Sequence, residues 1–126
     1  MSNIILTTGT YDLIKDHLRR KRVSIQEEEI LTNELRTAQQ VLRRELPADV
    51  VCINSVVTYK DHTANTEKTV TFVGPNKSKP SKNKISILTD EGIAMLGYEV
   101  GKTIEWPSAK RGDIKLEILK VEHLQK

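Results

Sequence analysis

The sequence predicts an α+β protein: a short antiparallel helical hairpin over residues 1–46, then a small, twisted, mostly antiparallel β domain with one short helix over residues 47–126. Three observations carry this. Apolar residues recur at helical spacing up to Leu46, Pro47 interrupts the pattern, and from Val50 onward β-branched runs alternate with turn-forming segments.

In the first half, Tyr11, Ile14 and Leu18 recur at spacings of three and four, which puts them on one face of a helix over residues 10–21. Ser24 and Glu27 form a capping-box pair, so a second helix is expected to start at residue 25. Leu31, Leu35, Ala38 and Leu42 carry its apolar face to residue 45, where Pro47 pushes the preceding residue out of the α region. At 1.5 Å per residue these helices would be ~17 Å and ~31 Å long.

The second half supplies strands at residues 50–59, 69–73, 85–88, 103–106 and 114–119, with turns at 61–65 and 76–83. Thr89, Asp90 and Glu91 can cap a short helix through Ala94, Met95 and Leu96, and Gly97 suits its C-terminal end. Alternation places Ile85 and Ile87 on one face and Ser86 and Leu88 on the other and supports either face as the outer one; Ser86 suggests that its side is wet, which would leave Leu88 exposed at its strand end.

Only 37% of the chain is apolar, and Tyr11, Tyr59, Phe72, Tyr98 and Trp106 are its aromatic residues, so the core must be mainly Ile, Val and Leu. No window approaches 18 uninterrupted apolar residues, which excludes a membrane-spanning helix. The start, with no basic segment and only the short run Ile4-Ile5-Leu6, argues against a secretory signal. Cys52 is a single cysteine, excluding an internal disulfide framework or a multi-Cys zinc site. A cytoplasmic protein is expected. Twenty basic and seventeen acidic residues give +3, too balanced to imply nucleic-acid binding. Two basic clusters stand out, Arg19-Arg20-Lys21-Arg22 and Lys77, Lys79, Lys82 and Lys84.

The chemistry-bearing residues give no enzymatic handle. His17, His62 and His123 lack metal-ligand spacing, and no glycine-rich phosphate loop or serine-nucleophile motif occurs. Cys52 lies in an apolar run and reads as a small buried hydrophobe. Neither cofactor nor metal is expected. Glu27, Glu28 and Glu29 read as solvated glutamates favoured by the helix dipole; the alternative is Mg²⁺, which at most one or two of them could share. The lysines at 77–84 read as a solvated connector, with phosphate contact as the alternative.

The order of these pieces resembles the bacterial Gre transcript-cleavage and elongation factors, most strongly from Val50 to Leu124. The run from Ile85 to Gly97 is similar to the family's strand, turn and short helix. Glu99-Val100-Gly101-Lys102 with Ile104-Glu105-Trp106-Pro107 is similar to its next turn and strand, and the run from Leu116 to Glu122 to its last strand. The resemblance implies an FKBP-like C-terminal domain that docks on RNA polymerase at the rim of the secondary channel. Leu88, Thr89, Asp90 and Glu91 would be the contact residues, Leu88-Thr89-Asp90 standing where the family has Asp-Ser-Pro.

The resemblance also makes Ser24, Glu27, Glu28 and Glu29 the hairpin tip. The family's Asp-x-x-Glu, which helps hold a catalytic Mg²⁺, reads Ser24-Ile25-Gln26-Glu27 here, and the first helix is short. This altered, short tip and the Leu88-Thr89-Asp90 contact turn both resemble the short-hairpin, Rnk-type members, which bind polymerase and compete with cleavage factors without cutting RNA. The expectation is therefore a non-enzymatic polymerase-binding regulator of elongation, with any direct nucleic-acid contact weak. The alternatives are a true cleavage factor using Glu27 and Glu28, and a peptidyl-prolyl isomerase using Trp106, Tyr59, Phe72 and Tyr98.

Overall fold

The computed structural model describes residues 4–21, 23–108 and 110–124; Arg22 of the first basic cluster lies outside them. Strand β1 (Ile5–Thr7) leads into helix α1 (Thr8–Arg19), helix α2 (Ile25–Thr37) and strand β2 (Gln39–Val41). Strands β3 (Ser55–Asp61), β4 (Thr66–Val73) and β5 (Lys84–Ser86) follow, then helix α3 (Asp90–Met95) and strands β6 (Thr103–Ser108) and β7 (Gly112–His123). The main sheet runs β5-β4-β3-β7-β6, antiparallel except for the parallel pair β4–β5, while β1 and β2 form a separate parallel pair. The α+β class stands, with a mixed sheet.

The second helix ends at Thr37, not near residue 45. Nothing in its local sequence stops it. Ile5–Thr7 forms a strand that captures Gln39–Val41 in parallel register, and Gln39 N–H donates to Ile4 C=O at 2.9 Å. Thirteen helical residues span ~20 Å rather than ~31 Å. Leu42, expected on the helix face, is 51% exposed in the segment after β2, and Val41 packs instead against the small cluster of Leu46, Val50 and Cys52.

The strand expected at 50–59 also starts late. Val50 makes an isolated bridge to Glu99, and regular pairing begins at Ser55, after Asn54 turns the chain with φ 66°. From there alternation holds: Ser55, Val57, Tyr59 and Asp61 point inward and their neighbours outward. Pairing with β7 shifts by one residue between Thr58 and Tyr59, so Leu119 is the extra residue of a bulge.

Both helices and the sheet share one core. Ile14 of α1 and Leu31 and Leu35 of α2 are buried together with Tyr59, Phe72, Trp106, Ile114, Leu116 and Ile118 of the sheet, and with Ile93, Ala94, Met95 and Leu96 at α3. The helical segment thus lies against the β structure. Gly97, with φ 86°, ends α3; a Cβ there would come within 2.7 Å of the Ile4 side chain, so only glycine lets β1 pass so closely. Among the described residues, no helix is long and apolar enough to cross a membrane.

Candidate functional site

The hairpin tip is built by a full capping box. Ser24 Oγ accepts from Glu27 N–H at 3.1 Å, and Ser24 N–H donates to Glu27 Oε1 at 2.9 Å. The other Glu27 oxygen, Oε2, accepts from Trp106 Nε1–H at 2.9 Å. Trp106 is buried in β6, and an enclosed indole N–H needs a partner. Glu27 is therefore only 5% exposed, correcting its reading as a solvated glutamate. The other two glutamates point elsewhere: Glu28 lies 3.6 Å from the Lys21 ammonium and Glu29 is exposed. Among the described residues, no group of histidine, cysteine or carboxylate side chains is arranged to hold a metal ion.

The same helix has a second fastening. Tyr98 O–H donates to Glu34 Oε2 at 2.5 Å. Burial pushes the Glu34 carboxyl up to about 7, against the opposing pull of the Tyr98 hydrogen bond. Tyr98 is itself raised above the usual phenol range, by burial first and then by Glu34. Two carboxylates thus tie α2 to structure more than sixty residues away.

At the other predicted contact, Thr89 caps α3. Its Oγ1 accepts from Gly92 N–H at 3.2 Å and donates to Ser86 C=O at 2.9 Å. Asp90 Oδ2 accepts from Ser108 O–H at 2.6 Å, and Glu91 Oε2 accepts from Arg111 Nη1 at 2.9 Å. Arg111 also reaches buried Asp61, Nη2 to Oδ2 at 2.6 Å, while Asp61 Oδ1 accepts from the Thr63 and Ala64 N–H groups. Burial alone would raise Asp61, but Arg111 and those two N–H groups outweigh it and hold the carboxyl below its usual range. Asp90 and Glu91 therefore fasten α3 to the β6–β7 turn.

Leu88 differs from expectation. β5 ends at Ser86, so Leu88 sits in a turn where strand alternation no longer applies, and its N–H donates to Ser86 Oγ at 3.1 Å. It is half-buried and packed against the core, not exposed. Leu88 separates two depressions. One, of about 380 Å³, is lined by His17, Val23, Glu27, residues 88–91, Ile93, Lys110 and Arg111. The other, of about 420 Å³, is lined by Leu13, Asp16, His17, Arg20, Pro75 and Leu88. The hairpin tip and the 88–91 turn, separate in sequence, are thus two walls of one cleft. Of the predicted tip residues only Glu27 lines the cleft; Ser24, Glu28 and Glu29 do not.

The remaining candidates have structural surroundings. His62 Nε2 lies 2.9 Å from Glu117 Oε1, and His123 Nε2 lies 2.7 Å from Val50 C=O. Cys52 is buried, and burial pushes its thiol up. Trp106, Phe72 and Tyr59 are core residues, so they do not form the aromatic pocket a prolyl isomerase needs. The β6–β7 contribution escaped sequence reasoning: Ser108, Lys110 and Arg111 carry no motif, although a lone Trp that must find a hydrogen-bond acceptor was a usable signal for Glu27.

Comparison with known proteins follows the same lines. A family model described as the C-terminal part of the transcription elongation factors GreA/GreB matches residues 46–123. The regulator of nucleoside diphosphate kinase of Escherichia coli (strain K12) is 33% identical over 93 residues, 74% of this chain and 68% of that protein. Transcription elongation factor GreA of Clostridium botulinum (strain Langeland) is 36% identical over 91 residues, 72% of this chain but only 56% of that one. Among solved structures, a prokaryotic transcription elongation factor GreA/GreB from Nitrosomonas europaea matches with a TM-score of 0.70 and 29% identity, over 98% of this chain and 100% of that one. That match spans both the helical segment and the sheet, so the family likeness is not confined to the β domain. On these matches, and on the cap, turn and strand order that agrees with them, the chain belongs to the GreA/GreB transcription elongation factor family.

Proposed function

We propose that this protein is an RNA-polymerase-binding regulator of transcription elongation that docks at the secondary-channel rim, in the bacterial cytoplasm, and does not stimulate transcript cleavage. The cleft around Leu88 is its contact surface, with Leu88 and Thr89 facing the partner and Asp90 and Glu91 holding the turn in shape. The observation that carries the second half of this reading is Glu27. The resemblance makes it the one surviving acidic residue of the tip pair, yet both carboxylate oxygens are engaged inside the fold. A carboxylate that is 5% exposed and hydrogen-bonded to an indole cannot also complete a metal site in another protein's channel. Occupying the rim without delivering a metal ligand makes the protein a competitor of cleavage factors.

Titration of fluorescently labelled protein against bacterial core RNA polymerase tests the binding. Wild type should bind at micromolar concentration or better, and Leu88→Ala should weaken binding about tenfold, in line with loss of a central apolar contact. Circular dichroism of Leu88→Ala checks that the half-buried residue has not been removed at the expense of the fold. No binding by a folded wild-type protein would sink the proposal.

A further inference from the structure

We infer that the lysine loop at residues 75–84, together with the apolar groove beside Leu88, is a docking surface for an acidic polypeptide segment of the polymerase; this rests on the polymerase-binding reading above. The loop is ordered by its own hydrogen bonds. Lys79 N–H donates to Lys84 C=O at 2.7 Å and Lys84 N–H to Lys79 C=O at 3.2 Å, with Asn83 turning the chain at φ 58°. Lys79 and Lys84 are therefore directly opposed across an antiparallel bridge. Like charges in that position are destabilising, so this pairing is not there for the stability of the fold. Lys77 and Lys82 stand on the same turns, all four lysines are exposed, and the sequence holds no acidic residue from Gly74 to Thr89. Among the described residues, no salt bridge joins any of the four ammonium groups to a carboxylate. The ion pairs among the described residues all lie elsewhere.

Location gives the charge a use. Pro75, at the root of this loop, lines the 420 Å³ groove with Leu13, Leu88 and Arg20. Asp16 and His17 also line the groove, and Asp16 is paired with both Arg19 and Arg20, so the end of α1 sets two guanidinium groups against one carboxylate while the lysine loop borders the other side of the apolar floor. Such a surface fits a polypeptide that presents an apolar side chain to the floor and carboxylates to the rim. A nucleic-acid strand fits it less well. Strand binding uses aromatic platforms for the bases, and Trp106, Phe72 and Tyr59 are buried in the core.

The test uses wild type, a variant with Lys77→Glu, Lys79→Glu, Lys82→Glu and Lys84→Glu, and a second with the same four lysines changed to Ser. Each is titrated against core RNA polymerase, poly-L-glutamate and a single-stranded RNA oligonucleotide, at about 50 and about 300 mM salt. Wild type should lose affinity for polymerase and polyglutamate as salt rises. The Ser variant should bind both about tenfold more weakly at low salt, with a flatter salt dependence, and the Glu variant more weakly still. Unchanged polymerase binding by both folded variants overturns the inference and leaves the regulatory reading intact. Lysine-dependent binding of RNA that exceeds binding of polyglutamate also overturns it. If wild type fails to bind polymerase, the regulatory reading falls, while lysine-dependent capture of polyglutamate would still support an acidic polypeptide as the ligand.

Discussion

Glu27 shows how one side chain can change a functional reading. Its Oε1 completes the cap of α2 and its Oε2 accepts from Trp106, so removing the carboxylate breaks two interactions at once. Glu27→Ala loses a capping interaction and leaves a buried indole N–H unpaired, for a combined loss of about 2–3 kcal/mol, measurable by urea unfolding. Glu27→Gln keeps the shape and one acceptor, and should cost less. Glu34 makes a different prediction, because its folded-state value is raised to about 7 from 4.5. Between those values the folded state binds more protons than the unfolded one, so the contribution of Glu34 to stability is full at low pH and lost as pH rises through about 7. Thermal midpoints taken from pH 5 to 8 should therefore fall more steeply for wild type than for Glu34→Gln. An identical pH slope for the two would show that Glu34 is ordinarily solvated. The capping box and Thr89 cap were legible from sequence because each is a contact over three residues. The Trp106 partner was not, because 79 residues separate it from Glu27.

Elements depend on contacts that local periodicity cannot report. The Leu31, Leu35, Ala38 and Leu42 rhythm was a sound helical pattern, but β1 claims Gln39–Val41, so a pairing across 34 residues ends α2 early. The β strand at 103–108 followed its expected run closely, since alternation there matches one covered and one open sheet face, whereas β4 begins at Thr66 with four exposed residues before its buried end. Leu88 was misjudged because a turn replaced the last step of its strand. Helix α3 gives the element-scale prediction. A Cβ on Gly92 would meet the Ile87 carbonyl oxygen at 2.6 Å and its carbonyl carbon at 2.9 Å, both rigid backbone atoms. Gly92→Ala should push α3 off the turn that carries Leu88, costing about 1–3 kcal/mol in chemical denaturation. Gly9→Ala, which meets nothing within 4 Å in α1, should stay within about 0.5 kcal/mol of wild type.

In the whole molecule, the helical segment and the sheet act as one packed unit through Ile14, Leu31 and Leu35. Two carboxylate hydrogen bonds hold α2 in that position, and they bring the tip beside the 88–91 turn to form the cleft. Apart from the β1–β2 pair, the order of helices and strands, and with it the family, could be read from sequence. The folding-back of the tip could not, since it depends on Glu27 and Trp106 meeting in three dimensions. The lysine cluster was visible in the sequence, but its place beside an apolar groove was not. The proposed function is that of a regulator that occupies polymerase without bringing a metal ligand. The most direct test is to add it to backtracked elongation complexes in Mg²⁺, alone and together with a cleavage-competent GreA. The account predicts no 3′ RNA fragments from the protein alone, and a dose-dependent suppression of GreA-stimulated cleavage. Release of short fragments by the protein alone would contradict it, as would undiminished GreA cleavage at saturating concentrations of the protein.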